Sequence, residues 1–168
     1  MLSRSTRGRK RGTVQPTRTG AASTKPTPAG WPRISAGVYY RDALDMIDWL
    51  CRAFGFSVQV KVVEEGVLHH SQLAFGDGLI MVGTELSGEA RRFETDRLSP
   101  LNAGCNTQNL MVYVDDVDAH CAQARAAGAQ IVSEPQLNDY GEGYWADRSY
   151  GARDPEGHRG WFVQRVRG

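Results

Sequence analysis

The chain has 168 residues, 40% of them hydrophobic, which is enough to bury one sizeable core. Its 20 Lys and Arg nearly balance its 19 Asp and Glu, and no apolar run approaches the roughly 20 residues that span a bilayer. These values argue against a membrane protein, and 3 cysteines without a C-x-x-C spacing favour a reduced cytoplasmic protein over a disulfide-stapled secreted one.

Residues 1–30 differ in composition from the rest of the chain. They hold seven Lys and Arg and no acidic or aromatic residue, so we predict a disordered basic tail. Removing these seven from 20 leaves 13 basic against 19 acidic residues, a net charge of about −6 for residues 31–168. An acidic body argues against a nucleic-acid-binding domain, although the tail alone is able to contact nucleic acid weakly. The tail also resembles a transit peptide in composition, but we favour an unstructured extension.

The first half of the domain predicts a strand, a helix and three further strands. The first strand covers Ile34–Tyr40, and Asp42 is the predicted N-cap of a helix that ends at Gly55. The apolar face of this helix consists of Leu44, Ile47, Leu50, Cys51 and Phe54. The three strands that follow are Phe56–Val63, Leu68–Phe75 and Leu79–Val82, with a tight turn at Gly76-Asp77-Gly78.

The second half predicts the same order of elements. The predicted elements are a strand at Asn109–Val114, a helix from Asp116 to Gly128, a strand at Gln130–Ser133, a loop with Pro135, a strand at Tyr144–Ala152, and a last strand through Val166. Residues 84–107 connect the halves. We therefore predict an α+β fold in which two βαβββ modules, at about 33–83 and 108–166, form a half-barrel with a central cleft.

Four motifs occur in a fixed order on this duplicated pattern. They are Tyr39-Tyr40-Arg41-Asp42 before the first helix, Gly76-Asp77-Gly78 before a strand, Val114-Asp115-Asp116-Val117-Asp118 before the second helix, and Asp154-Pro155-Glu156-Gly157-His158 before the last strand. Together, over about residues 33–166, they resemble the glyoxalase/bleomycin-resistance/extradiol-dioxygenase superfamily, also called vicinal oxygen chelate.

The resemblance implies a divalent metal site in the metal-dependent members, with one His, Glu or Gln from the first and last strand of each module. The positions of this chain that match are Ser35, Met81, Asn109 and Trp161, and none is a competent ligand for such an ion. We therefore expect no metal and no other cofactor. The Lewis-acid chemistry of the family's isomerases and dioxygenases is not expected either.

Strand alternation predicts which side chains face the cleft, because every second residue points away from the helix. The predicted binding residues are Ser35, Tyr39, His70, Gln72, Met81, Asn109, Met111, Tyr113 and Trp161. We interpret His70 as a hydrogen-bonding pocket residue, and His120 and His158 as surface or packing residues. Trp161 suits a planar or cationic ligand. Arg148, Arg153 and Arg159 are able to bind an anion, but exposed strand arginines usually contact solvent, so we assign them no role.

Functions of different classes remain open. The first is a non-catalytic small-molecule-binding protein that sequesters a drug or metabolite, as the bleomycin-resistance proteins do. The second is a metal-independent lyase, isomerase or hydrolase that uses His70, Tyr113 or a bound cofactor on a small carbonyl or epoxide. A third is an interaction domain with a vestigial pocket. A homodimer is expected because two half-barrels leave exposed sheet edges, and whether one chain or two complete the cleft stays open.

Overall fold

The structure is a computed structural model that describes residues 25–88 and 97–168. The predicted disordered tail lies outside the described residues up to residue 24, and it stays a prediction. The elements are β1 (Ala36–Tyr40), α1 (Ala43–Phe54), β2 (Ser57–Glu64), β3 (Val67–Phe75), β4 (Gly78–Thr84), α2 (Pro100–Ala103), β5 (Asn109–Tyr113), α3 (Val117–Ala126), β6 (Gln130–Asp139), β7 (Ala146–Arg153) and β8 (Arg159–Arg167).

The strands form two open four-stranded sheets, one for each module. The first has the order β1-β4-β3-β2 and the second the order β5-β8-β7-β6. In each sheet the first and last strands of the module are parallel neighbours, whereas the remaining neighbours are antiparallel. The predicted α+β fold of two βαβββ modules is confirmed. Among the described residues no helix is long and apolar enough to cross a membrane.

Helix α1 buries a wider face than its sequence pattern predicts. It ends as expected at Gly55, whose φ of 76° is the left-handed conformation that glycine adopts readily. Leu44 and Cys51 of the predicted face are only half-buried, whereas Trp49 is buried. Trp49 packs towards α3, and its indole Nε1 donates a hydrogen bond of 2.8 Å to the carbonyl of Ala127. Two packing surfaces on one helix explain the wider face.

Helix α3 completes a hydrophobic core that both modules share. Its N-cap is Asp116, whose side chain accepts a hydrogen bond of 3.0 Å from the backbone N–H of Ala119. Across the core, the ring of Phe54 from α1 lies 4.7 Å from the ring of Phe162 on β8, measured between centroids. The residues that face the helices therefore form one contiguous cluster.

Strand β6 corrects the predicted loop around Pro135. The structure shows one strand from residue 130 to 139, where the sequence pattern predicted a short strand that ends at Ser133. Proline is tolerated because β6 is an edge strand and because the pairing with β7 shifts register between Ser133 and Gln136. At such a bulge Pro135 is not paired with a residue of β7, so the N–H that proline lacks is not needed for a hydrogen bond between the strands. The short helix α2 in the connector was also not predicted; it begins at Pro100 and ends at Gly104.

The turn before β8, residues 154–158, joins the second module to the first, and we call it the latch. The buried Glu156 carboxylate accepts hydrogen bonds from the backbone N–H groups of Arg41, at 2.7 Å, and Asp42, at 2.9 Å. It thereby supplies the N-terminal cap of α1, since the Asp42 side chain makes no capping bond. The Tyr40 hydroxyl donates to the Asp154 carboxylate at 2.7 Å. Burial raises the pKa of the Asp154 carboxyl group, and the hydrogen bond from Tyr40 opposes that rise.

The equivalent turn of the first module is Gly76-Asp77-Gly78, and its carboxylate makes no corresponding hydrogen bonds to the second module among the described residues. The turn borders a cavity of about 640 Å³ that is also lined by β5, from Leu110 to Tyr113, and by Asp115. The Asp77 and Asp115 carboxylates make no hydrogen bond or ion pair with any residue in the described ranges. The two modules are therefore anchored at one junction and open at the other.

Candidate ligand-binding site

The cleft face is the face of each sheet that lies opposite its helix. On the first sheet, the register pairs Gly37 with Met81 and Tyr39 with Gly83. Leu73 pairs with Ile80 on the helix side, so the same antiparallel register places Gln72 beside Met81 and His70 beside Gly83. The register therefore puts four predicted binding residues, Tyr39, His70, Gln72 and Met81, on one face.

The Tyr39 ring lies directly over Gly83. A Cβ atom added at Gly83 would come within 3.0 Å of a ring carbon, so only glycine leaves room for the ring in this position. The guanidinium of Arg97 lies 5.4 Å from the centre of the same ring. Tyr39 remains half-buried, and it lines a cavity of about 340 Å³ together with Pro100 and Ala103 of α2.

His70 has a hydrogen-bonding partner within this face. The Nε2 amide nitrogen of Gln72 lies 2.9 Å from His70 Nε2. An amide nitrogen donates only, so this arrangement leaves His70 Nε2 as the acceptor. Gln72 is buried, and its hydrogen bond fixes the orientation of the imidazole. The role of both residues in ligand binding stays a prediction.

The second sheet presents a matching aromatic surface. Here the register pairs Met111 with Trp161 and Asn109 with Arg159. The Trp161 ring covers Gly151 on β7, where an added Cβ would lie 3.4 Å from the indole. As in the first sheet, a guanidinium lies near the ring, because Arg159 is 4.8 Å from its centre.

Tyr113 belongs to a cluster that the sequence did not reveal. Arg165 donates through Nε to the Asp147 carboxylate at 2.5 Å and through Nη2 to the Tyr113 hydroxyl at 3.0 Å. Its guanidinium also lies 5.4 Å from the centre of the Trp145 ring and 5.8 Å from that of Tyr113. Asp147 and Arg165 are register partners on β7 and β8. Alternation alone places both on the cleft face, but only strand pairing shows that they meet.

The four positions that match the family's metal ligands do not converge as a donor set. Trp161 pairs with Met111 and Asn109 with Arg159, and the parallel register of β1 and β4 sets Ser35 beside Leu79, two residues before Met81. A hydroxyl, a thioether, an amide and an indole also do not fit a divalent ion. Within the described part of the chain, no group of three or more His, Cys, Asp and Glu side chains is arranged to hold a metal.

His120 and His158 make packing contacts between the modules, and His158 also lines the same cavity as Gly37 and Tyr39. His120 Nε2 is 3.0 Å from the Phe54 carbonyl, which only accepts, so Nε2 carries the proton and Nδ1 accepts from the Tyr150 hydroxyl at 2.6 Å. Burial lowers the pKa of His120. His158 Nε2 donates likewise to the Tyr39 carbonyl at 2.9 Å. Both histidines connect the modules.

The amino-acid sequence of the chain matches the model of one protein family. A model described as the Glyoxalase/Bleomycin resistance protein/Dioxygenase superfamily matches residues 34–162. No curated protein matches the chain. The family match covers β1 through the first four residues of β8 and thus includes both cleft faces.

Solved structures with the same fold include three that are informative here. TioX from Micromonospora sp. ML1 is 28% identical, over 80% of this chain and 99% of its own, with a TM-score of 0.62. A glyoxalase/bleomycin resistance protein/dioxygenase family enzyme from Burkholderia phytofirmans PsJN is 19% identical over 79% and 97%, with a TM-score of 0.58. TnmS3, an antibiotic binding protein from Streptomyces sp. CB03234, is 20% identical over 79% and 93%, with a TM-score of 0.56. At the identities of the last two, the likeness shows the fold alone.

Proposed function

Because the chain belongs to the Glyoxalase/Bleomycin resistance protein/Dioxygenase superfamily, we propose that it is a non-catalytic member that binds and sequesters a small molecule on its cleft faces. One observation carries the proposal. Tyr39 and Trp161 each lie over a glycine of the neighbouring strand, on the sheet faces opposite the long helices α1 and α3. Flat aromatic surfaces of this kind suit a planar drug or metabolite. TnmS3, which has the same fold, is an antibiotic binding protein, and this supports the proposal.

The catalytic alternative is less well supported by the contacts. An acid or base on the cleft face would be His70 or Tyr113, and each already has a protein partner. His70 is paired with Gln72, and the Tyr113 hydroxyl accepts from Arg165. A substrate would have to replace these hydrogen bonds before either group acted on it. Incubation of the protein with small carbonyl and epoxide compounds, followed by product analysis, would reveal turnover if this alternative holds.

Truncation of Trp161 tests the proposal. We expect Trp161→Ala to weaken the binding of a planar aromatic ligand by roughly 1 to 3 kcal/mol, the range for a lost stacking or cation–π contact and its buried area. If Trp161 is only a packing residue, the variant instead loses about 3 to 5 kcal/mol of folding stability and keeps its ligand affinity. Calorimetric titration and chemical denaturation of the same variant measure both quantities. Trp31→Ala, in the segment before β1, is the matched control.

A thermal-shift screen identifies ligands for that titration. A ligand present at about 100 times its dissociation constant adds roughly 2.7 kcal/mol to the stability of the folded state. A collection of planar aromatic compounds that leaves the melting temperature unchanged throughout would contradict the proposal.

We also propose that the protein is a homodimer. Strands β1, β2, β5 and β6 are the edges of the two sheets, and their outer backbone groups have no strand partner among the described residues. Exposed edges of this kind favour pairing with a second chain. Sedimentation velocity at micromolar concentration should give twice the chain mass of 18.5 kDa. A single species at the mass of one chain would rule out the dimer.

A further inference from the structure

The arginines of the second module fall into two groups. Four of them form ion pairs with a carboxylate, and these are Arg125 with Glu134, Arg148 with Asp118, Arg165 with Asp147, and Arg167 with Asp139. Arg153 and Arg159 are different. Neither side chain makes a hydrogen bond or an ion pair with any residue of the described ranges, although the Arg159 guanidinium lies over the Trp161 ring. These two guanidinium groups are therefore the uncompensated charges of this module.

Arg153 and Arg159 are direct neighbours on the cleft face. The register of β7 and β8 pairs them, and the register of β5 and β8 pairs Arg159 with Asn109. Like charges at directly opposed positions of a sheet destabilise it. Gln130 of β6 is the register partner of Arg153 and completes the row. The row thus brings together two cations and two amides, with no carboxylate among its members.

Arg159 also has a buried donor without an acceptor. Its Nε atom is shielded from solvent and has no hydrogen-bond partner in the structure. An unsatisfied buried donor is costly, and a donor on a guanidinium more so. An anionic group bound between Arg153 and Arg159 would relieve their repulsion. It would also accept a hydrogen bond from the unsatisfied Nε of Arg159.

The adjacent row supplies an aromatic surface. Trp161 is two residues after Arg159 on the same face, and the guanidinium carbon of Arg159 lies 4.8 Å from the indole centre. Met111 is the register partner of Trp161 and is largely exposed. A ligand anchored at the arginines would place its remaining atoms against these two apolar side chains.

We propose that Arg153, Arg159 and Asn109 form an anion subsite, and that the ligand of the cleft is a planar aromatic anion. The guanidinium groups bind its carboxylate, sulfonate or phosphate group, for which their planar arrays of donors are suited. The ring then lies against Trp161 and Met111. This inference rests on the proposed binding function and narrows it. A cationic ligand, which the aromatic side chains alone would accept, is disfavoured by the two positive charges.

Three probes with the same ring system test the charge preference. They are 2-naphthoate, 2-naphthamide and the 2-naphthyl-trimethylammonium ion, titrated calorimetrically into the full-length protein. We expect 2-naphthoate to bind about tenfold or more tightly than the neutral amide, as a charge-assisted hydrogen bond predicts, and the cation to bind most weakly. The preference for 2-naphthoate should fall as salt is added, because salt screens partly exposed charges.

Substitutions on one strand provide the test and its control. Arg153→Gln should weaken 2-naphthoate about tenfold and leave 2-naphthamide within about twofold. Arg153→Glu should abolish the binding of 2-naphthoate and raise the melting temperature in anion-free buffer, because the new carboxylate pairs with Arg159. Arg148→Gln is the matched control, since Arg148 lies on β7 but on the opposite face and pairs with Asp118. It should leave the affinities of all three probes unchanged.

Two outcomes overturn the inference in different ways. If wild-type protein binds 2-naphthoate and 2-naphthamide equally, and Trp161→Ala weakens both, the anion subsite is wrong while the proposed function stands. If none of the three probes binds, the inference fails, and the thermal-shift screen then decides separately whether the proposed function survives. The salt dependence is measured on wild-type protein, so it remains decisive if an arginine variant does not fold.

Discussion

The two junctions between the modules join equivalent elements, yet they are built differently. At one junction, the Glu156 carboxylate of the latch accepts hydrogen bonds from backbone N–H groups at the N-terminus of α1. The Asp154 carboxylate of the latch accepts a hydrogen bond from the Tyr40 hydroxyl. At the other, a turn with two glycines leaves a cavity of about 640 Å³ beside the end of β5. Helix α3 does not need the missing partner, because Asp116 caps it locally. The latch, the contacts between α1 and α3 and the shared core together hold the modules, so the second copy of the junction is free to change.

The largest expected effect is at the latch itself. Glu156→Ala removes the acceptor of two backbone N–H groups in a site that is only 4% exposed. We expect a loss of about 3 kcal/mol in the free energy of unfolding, since both donors are left unsatisfied. Chemical denaturation monitored by circular dichroism measures it. Glu156→Gln keeps one carbonyl acceptor and should lose less; equal losses in both variants would show that the carboxylate's hydrogen bonds are not the cause.

The second effect concerns the pair of Tyr40 and Asp154. Tyr40→Phe should cost about 1.5 kcal/mol at neutral pH, because a buried carboxylate loses a donor. The folded state already raises the pKa of Asp154. The stability that this group contributes is therefore present below its unfolded pKa of about 3.9 and is lost as the pH rises through the folded value. Since the hydroxyl stabilises the ionised form, the cost of Tyr40→Phe should be smaller at pH 4 than at pH 7. A cost that does not change with pH would show that the hydrogen bond is not to a carboxylate.

The third effect is at the helix contact between the modules, where His120 connects α3 to α1. Burial lowers its folded pKa, so its contribution to stability is present above the unfolded value of about 6.5 and is lost as the pH falls towards the folded value. A single proton changes the free energy of unfolding by at most about 1.4 kcal/mol per pH unit. His120→Gln should flatten the decline between pH 7 and 5, measured by denaturation at each pH. An unchanged slope in His120→Gln would contradict a role for this histidine in the decline.

The smallest effect is expected at the open junction. Asp77→Ala and Asp115→Ala should each change the free energy of unfolding by less than about 0.5 kcal/mol, because neither carboxylate has a partner among the described residues. The same denaturation experiment measures them beside the Glu156 variants. A loss comparable to that of Glu156→Ala would mean that this junction is anchored as well, and the contrast between the junctions would disappear.

The sequence was sufficient for the fold because the fold depends on local periodicity. Alternation and helical spacing predicted every strand and both long helices, and Gly55 marked the end of α1 as expected. The exception at Pro135 has a physical reason. A local pattern does not show that β6 is an edge strand or that the register shifts there, and these two facts make proline acceptable.

The sequence was less informative about contacts between distant residues. The motif around Glu156 supported the family resemblance, but its role as a cap for α1 depends on a partner more than 110 residues away, as Asp42 and Glu156 are 114 positions apart. The same limit applies on the cleft face. Alternation placed Arg159 there, whereas its lack of a carboxylate partner became visible only when strand pairing identified its neighbours.

The distance along the chain between α1 and the latch has a consequence for synthesis. At about 5 to 20 residues per second, Glu156 is added roughly 6 to 23 s after Asp42, from which it is separated by 114 positions. During that interval the first module has an α1 whose N-terminal backbone groups have only water to bind. The nascent first module should therefore be sensitive to proteolysis at Arg41 until the second module is complete. The N-terminus of the first helix is therefore closed only after the latch of the second module has been synthesised.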